Sequence, residues 1–428
     1  MTMNEIYTQS PSGIGADALA AHVAAVASQF PDAKSVLIIP PDFTRFHSMA
    51  GEITKLLYRE FSSRSVVRII PALGTHMPVS EEERLRMFGD EIPPSCFLIH
   101  HWQTDTVQLG QIPAEETRRI SGGLYSEAVE VEVNHLLVDG GFDVIFSVGQ
   151  VVPHEVVGMA NYSKNLFVGL GGRSMINKSH MLSAICGIEN ALGVIDSPAR
   201  QLYDYAQRRF IDGKIPVVYT QTVTTRENGR VCLHGVFSGS SRKPFELAAA
   251  LSQSKNITYL DRRAKKVVVY MDPDEFKTTW VGNKGIYRTR MAVADGGELV
   301  VLAPGIRGFG ENSETDAMTR RYGYRGTDAI LELYRKGAFD RMEMSAAHLM
   351  QGSSDGRFRI TYATRPENLS RQDIESVGFQ WADYETTARR YDPALLREGW
   401  NTLPDGEEIY FVGTPALGLW KARDRAAE

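Results

Sequence analysis

The sequence predicts an α/β protein built as two α/β domains with mostly parallel sheets, and three observations carry that expectation. Short apolar, strand-like runs alternate with helix-like runs, the pattern that parallel sheets with crossover helices leave in a chain. The alternation breaks at "LSQSKNITYLDRRAKK" (251–266) and starts afresh with "KKVVVYMD". The 428 residues, 43% hydrophobic and 23% charged, suffice for two cores of ordinary size. The expected boundaries are 1–260 for an N-terminal catalytic and cofactor domain and 262–394 for a C-terminal domain, with 395–428 returning to complete the first.

Taken in order, "ALAAHVAAVASQF" (18–30) reads as a helix and "SVLIIP" (35–40) as a buried strand stopped by Pro40, since proline cannot continue the ladder. "ITKLLYREF" is helical and "VVRIIPALG" is the next strand. "SEEERLRMFG" opens a helix whose N-cap is Ser80 with Glu83 three residues on, the capping-box spacing. "FLIHHW", "VEVNHLLV" and "DVIFSVG" follow as strands. In the second domain "KKVVVYMD" is a strand, "NKGIYRTRMAVADGG" a helix closed by glycines, and "ELVVLAP" a strand. "TDAILELYRKG" and "DRMEMSAAHLM" are helical, and "EIYFVG" is the strand expected to return to the first domain.

Composition removes several function classes. A net charge of −5 argues against nucleic acid as a partner, because backbone phosphates select a basic excess. The three cysteines, Cys96, Cys186 and Cys232, form no CxxC pair, so neither a cysteine-cluster zinc or iron–sulfur site nor a disulfide scaffold is expected. "MTMNEIYTQSPSG" has no basic start or apolar core, and no apolar run approaches a membrane span; no membrane association and a cytoplasmic location are expected.

Ligands of open α/β sheets bind beyond the carboxyl ends of the strands, so polar residues just after each strand are the candidates. After "SVLIIP" come Asp42, Thr44, Arg45 and His47; after "VVRIIPALG" come Thr75 and His76; after "DVIFSVGQVV" comes His154; after "KKVVVYMD" come Trp280 and Lys284. His47, His100, His101, His135, His234 and His348 are read as solvated loop residues. His76 and His154 stand apart because each follows a strand and has a proline close by. Two imidazoles can serve as base and acid on opposite sides of a substrate. Arg45 is suited to clamp a carboxylate with two parallel hydrogen bonds. His180 is a borderline metal ligand that needs companions; an organic cofactor bringing its own would supply them, and Lys164 could anchor it through its amine. "GLGG" (169–172) lacks the spacing of either phosphate-loop motif and reads as a flexible turn.

Together, "DFTR", "LGTH", "PHEVVG…SK" and "NKSH", with "GNKG" and "ADGGELVVLAP" further on, resemble the nickel-dependent lactate racemase family of 2-hydroxyacid racemases and epimerases. The resemblance runs from about Val36 to about Gly310. It implies two α/β domains with the active site in the cleft between them. It implies a nickel-pincer nucleotide, a modified pyridinium mononucleotide that holds nickel through two sulfurs and a carbon. Lys164 matches the position that carries this cofactor covalently, and His180 matches the remaining nickel ligand. His76 and His154 match the acid/base pair, Arg45 a substrate-binding arginine, and Lys284 a substrate-side lysine with Trp280 at an aromatic position. Asp42, Thr44 and Gly158 match positions that contact the cofactor or order its loop. Where the family is glycine-rich before the lysine, in the manner of "GFSGGRK", this chain has "GMANYSK", a stiffer and bulkier loop.

The implied reaction is inversion at C2 of a 2-hydroxy acid by reversible hydride transfer, with cofactor-building proteins as partners. Departures around the pocket leave a sugar or sugar acid open as the substrate of a C2 epimerase. A non-catalytic nickel-cofactor binder is the reading from another class; an NAD-dependent dehydrogenase lacks its GxGxxG.

Overall fold

The computed structural model describes residues 3–227 and 229–423. The chain divides into two compact units, one of residues up to 182 with 193–256, the other of 183–192 with 257 onward. Both are α/β with mostly parallel sheets.

The first unit contains, in chain order, β1 (Ile6–Gln9), β2 (Ser35–Ile39), β3 (Val66–Ile69), β4 (Thr106–Ile112), β5 (Val129–Asn134), β6 (Val144–Gln150), β7 (Pro153–His154), β8 (Gly158–Met159), β9 (Val217–Glu227) and β10 (Arg230–Gly239). Six of these form one sheet in the order β1-β10-β9-β6-β2-β3. Its β3, β2, β6 and β9 run parallel, and β10 and β1 close it antiparallel. β2 and β6 read as unbroken apolar runs because both faces are covered. On one face Val36, Ile38, Val67, Ile69, Val144 and Phe146 pack with the helices 16–27 and 50–61 through Val23, Val26, Ile53, Leu57 and Phe61. Phe30 meets Phe146 edge-on at 5.7 Å. Each such side chain contributes about 1.5–3 kcal/mol by leaving water. The capping box at Ser80 and Glu83 forms as expected.

The second unit contains β11 (Ile257–Leu260), β12 (Ala264–Tyr270), β13 (Val293–Leu302), β14 (Arg359–Thr364), β15 (Gln380–Asp383), β16 (Gly399–Thr402), β17 (Glu408–Val412) and β18 (Leu419–Ala422). Its main sheet runs β15-β14-β13-β12-β17-β16, parallel except for the β16–β17 pair. The strand expected to complete the first domain, "EIYFVG", is β17, and it stays in the second unit beside β12. Its Ile409 and Phe411 belong to the core of Val268, Val300, Leu302 and Ala363, and that burial decides where it pairs.

Three further expectations are corrected. "FLIHHW" is not a strand: Phe97 makes one bridge to Ile69 and the chain then leaves the sheet. "VEVNHLLV" is a strand only to Asn134, and a helical turn follows over Leu136–Asp139. The helix in "NKGIYRTRMAVADGG" spans Lys284–Thr289, and β13 already begins at Val293. "GLGG" is no flexible turn. A Cβ on Gly171 would stand 1.9 Å from the Phe167 carbonyl oxygen, and one on Gly172 would stand 2.6 Å from the Glu132 carboxylate, so close packing demands glycine there. Among the described residues no helix is long and apolar enough to cross a membrane.

Candidate active site

Because β3, β2 and β6 are parallel neighbours, their carboxyl ends release the loops 40–48, 70–76 and 151–160 at one edge of the sheet. The chain passes from β2 to β3 on one side, and β6 flanks β2 on the other. The order therefore reverses between β2 and β6, and such a switch opens a crevice beyond the strand ends. Pro41 bridges Ala72 across the first two loops. Gly74 N–H donates to the Gly169 carbonyl at 2.8 Å, which ties the β3 loop to the segment following Lys164.

Asp42 caps the short helical turn Phe43–Ser48, accepting from Thr44 N–H at 3.1 Å and from the Thr44 hydroxyl at 2.5 Å. Its other oxygen lies 2.5 Å from His76 Nδ1. Burial alone would raise the Asp42 pKa. The His76 imidazole, the Thr44 hydroxyl and the Arg45 charge overcome that and hold it at about 2. A carboxylate can only accept, so His76 Nδ1 must carry the hydrogen, and the lone pair of the neutral ring sits on Nε2. Arg45 is half-buried in the same turn, and Thr222 and Thr224 of β9 anchor the turn by donating to the Ser48 and His47 carbonyls at 2.7 and 3.1 Å.

The depressed Asp42 pKa has a measurable consequence. A group lower in the folded than in the unfolded chain stabilises above its unfolded value and ceases to as pH falls through the folded one. Between the ordinary aspartate value of 3.8 and a folded value of about 2 the contribution is on the order of 2 kcal/mol. In denaturant unfolding, the stability difference between wild type and Asp42→Asn is expected to shrink by that amount from pH about 4 to about 2. A difference that does not change with pH would exclude the pair.

His154 is buried, and its Nδ1 accepts from Val156 N–H at 3.1 Å, with the Glu155 carboxylate at 3.9 Å. In the neutral ring the hydrogen then sits on Nε2, the opposite of His76. Gly158 has φ +78°, so the β7–β8 hairpin accounts for it on backbone grounds.

The loop that follows takes an unusual backbone and is braced from outside. Asn161 and Tyr162 both take left-handed backbone, φ 69° and 57°, at a cost of about 1–2 kcal/mol each. Tyr162 offsets it by stacking on Phe245 at 5.3 Å. Arg200, fully buried, donates to the Met159 and Asn161 carbonyls at 2.7 and 3.0 Å and to the Ser163 hydroxyl at 2.7 Å. Arg200 was invisible to motif reading, because it lies in a helix remote in sequence and bears on the site through two backbone carbonyls and the Ser163 hydroxyl. The carboxamide of Asn161, 3% exposed, has neither nitrogen nor oxygen hydrogen-bonded among the described residues. That unmet donor and acceptor lie three residues before Lys164 and suit a polar ligand.

Lys164 has its pKa lowered to about 8, first by burial and then by the Arg45 charge. His180, on the helix Arg173–Ile185, donates from Nδ1 to the Ile176 carbonyl at 2.6 Å. Burial, with Lys164 adding repulsion, lowers its pKa to about 4. The ring is neutral at pH 7 with its lone pair on Nε2, and the carbonyl fixes its orientation as an outer-shell partner does for a metal ligand. Mutual electrostatic influence links Asp42, Arg45, Lys164, Glu155 and His180. The donor set fits a cofactor that needs one amine anchor and one imidazole.

Trp280 and Lys284 belong to the second unit. Trp280 stacks on His348 at 4.0 Å, and that ring is bonded to the Tyr287 and Tyr324 hydroxyls at 2.8 Å each. Lys284 is buried with Nζ 5.7 Å over the Phe276 ring. His348, His100 and His234, read as solvated, are buried and hydrogen-bonded, whereas His101 and His135 are exposed as expected.

Residues 16–192 match the family model described as the lactate racemase N-terminal domain. Over those residues the chain is similar to the lactate racemase N-terminal domain. Asp42, Thr44, Arg45, His76, His154, Gly158, Lys164 and His180 all fall within the matched residues. The chain is 26% identical over 152 residues to the lactate racemase of Lactiplantibacillus plantarum, a match that spans 34% of this chain and 32% of that protein. In fold it is similar to a crystal structure of a Thermotoga maritima protein, with TM-score 0.83 and 22% identity over 97% of this chain and 100% of that one. It is also similar to the lactate racemase apoprotein of Thermoanaerobacterium thermosaccharolyticum, with TM-score 0.67 and 16% identity over 96% of this chain and 90% of that one.

Proposed function

We propose that this chain is an isomerase that inverts C2 of a 2-hydroxy acid with the help of a nickel-pincer nucleotide, the hydrogen on C2 leaving and returning as hydride. When bound, that cofactor supplies a hydride acceptor and spares the enzyme a carbanion beside an ionised carboxylate. Lys164 would tether it, its amine easily deprotonated at a pKa of about 8. His180 Nε2 would complete the coordination of nickel.

The chain's own residues handle the substrate. Arg45 holds the carboxylate by a two-pronged contact. His76 Nε2 accepts the hydroxyl proton, and Asp42 stabilises the imidazolium that results. His154, entering that step as an imidazolium, donates its Nε2 proton to the oxygen when the planar 2-keto acid is reduced on its other face, and is left neutral. The two histidines start a turnover in different protonation states, so His76 is the base for one enantiomer. For the other the roles exchange: neutral His154, with its hydrogen on Nδ1, accepts the hydroxyl proton, and His76 as an imidazolium returns one.

One observation carries this reading. Within the family-matched residues, a carboxylate holds His76 Nδ1–H and a carbonyl holds His180 Nδ1–H, so each ring has an Nε2 lone pair, one suited to a proton and one to a metal. The test is co-production with the cofactor-building proteins, its implied partners, followed by a panel of enantiopure 2-hydroxy acids and sugar acids in D2O. Loss of optical rotation with hydrogen retained at C2 is expected. Deuterium at C2, or no inversion across the panel, would overturn it.

A further inference from the structure

We infer that the β9–β10 hairpin carries a second metal site, formed by Glu227, Cys232 and His234, for a zinc-like divalent cation. One ligand atom from each of the three residues lies within 4.8 Å of the others. His234 Nε2 stands 3.5 Å from the Glu227 carboxylate. A thiolate, an imidazole and a carboxylate are a borderline-soft set, which selects zinc over magnesium or calcium. Three protein ligands leave the fourth position to water.

The strand register assembles the set. Cys232 pairs with Thr225, and the register slips between Leu233 and Gly235. His234, two residues beyond Cys232, lies on the face that Thr225 and Glu227 share, with its ring against the Thr225 hydroxyl. His234 is 2% exposed, yet its Nδ1 has no hydrogen-bond partner among the described residues. Its Nε2 meets the Thr225 hydroxyl at 2.8 Å, and that hydroxyl also donates to Glu227 at 3.1 Å. Thr225 thus orients both ligands, and a buried imidazole keeps an unused lone pair, which costs stability until something binds it. The N-terminal turn covers the thiol. Ser10 N–H donates to the His234 carbonyl at 2.9 Å, and Ile14 N–H to the Leu233 carbonyl at 2.7 Å. A Cβ on Gly13 would come within 2.9 Å of Cys232 Sγ. Cation binding would displace the thiol proton to solvent and clamp this turn on the hairpin.

No CxxC spacing betrays the site, because two ligands sit on one strand and the third comes from its neighbour. It shares no residue with the candidate active site, so each can fail without the other.

The test is cobalt(II) titration of the full-length, chelator-treated and reduced protein. A near-ultraviolet thiolate-to-cobalt band is expected, displaced by equimolar zinc. Cys232→Ser and His234→Ala should lose the band, and His180→Ala should keep it. Glu227→Gln, at an exposed position unlikely to disturb folding, should weaken zinc binding by about tenfold or more, and serves if the buried variants do not fold. No band in the wild type, a band that survives Cys232→Ser, or unchanged zinc affinity in Glu227→Gln overturns the site.

Discussion

Replacing His180 by alanine is expected to strip nickel from the co-produced protein while leaving the first unit folded. The imidazole is neutral, held at Nδ1 by the Ile176 carbonyl, and presents a single nitrogen. Losing a ligand costs more than losing its orienting partner, which already lowers metal affinity about 10–100-fold. The helix loses only a side-chain bond to its own preceding turn, which is worth at most about 1 kcal/mol. Metal analysis of the purified variant beside His76→Ala and His154→Ala is decisive, since those two should retain nickel. Equal nickel in all three would remove His180 from the coordination shell.

Turnover should separate from metal content at His76 and Asp42. His76→Ala is expected to lower kcat by about 10²–10⁴, the usual worth of a positioned proton acceptor. Asp42→Asn should lower kcat by on the order of 10² or more with nickel retained. An asparagine amide can donate to Nδ1, which would move the ring hydrogen to Nε2 and remove the base; the charge that stabilises the imidazolium is lost as well. The family resemblance assigns Asp42 to the cofactor, whereas the 2.5 Å contact assigns it to His76. Loss of nickel in Asp42→Asn with normal proton transfer would favour the former.

Much of this was legible in the residues alone. The parallel strands announce themselves as unbroken apolar runs, because a strand covered on both faces needs no polar alternation. The loops after β2, β3 and β6 could be named as candidates because parallel strands deliver their carboxyl ends to one edge. Ser80 and Glu83 specify their own cap, since both partners lie within one turn.

Other features needed the folded chain. "FLIHHW" has strand composition, yet past Phe97 its His100 is taken by the Gly171 carbonyl and Asn134. "EIYFVG" could have joined either sheet by its pattern, and burial of Ile409 and Phe411 beside β12 decided it. The tautomers of His76, His154 and His180 follow from a carboxylate, an amide and a carbonyl that the sequence does not pair with them. Residue type, periodicity and local caps set which segments become strands and helices and which side chains reach the sheet edge, because those preferences act within a few residues. The proton placement on His76, the Arg200 brace and the second-unit strand order come from contacts between residues tens to hundreds of positions apart, and only the packed chain chooses among the partners such contacts offer.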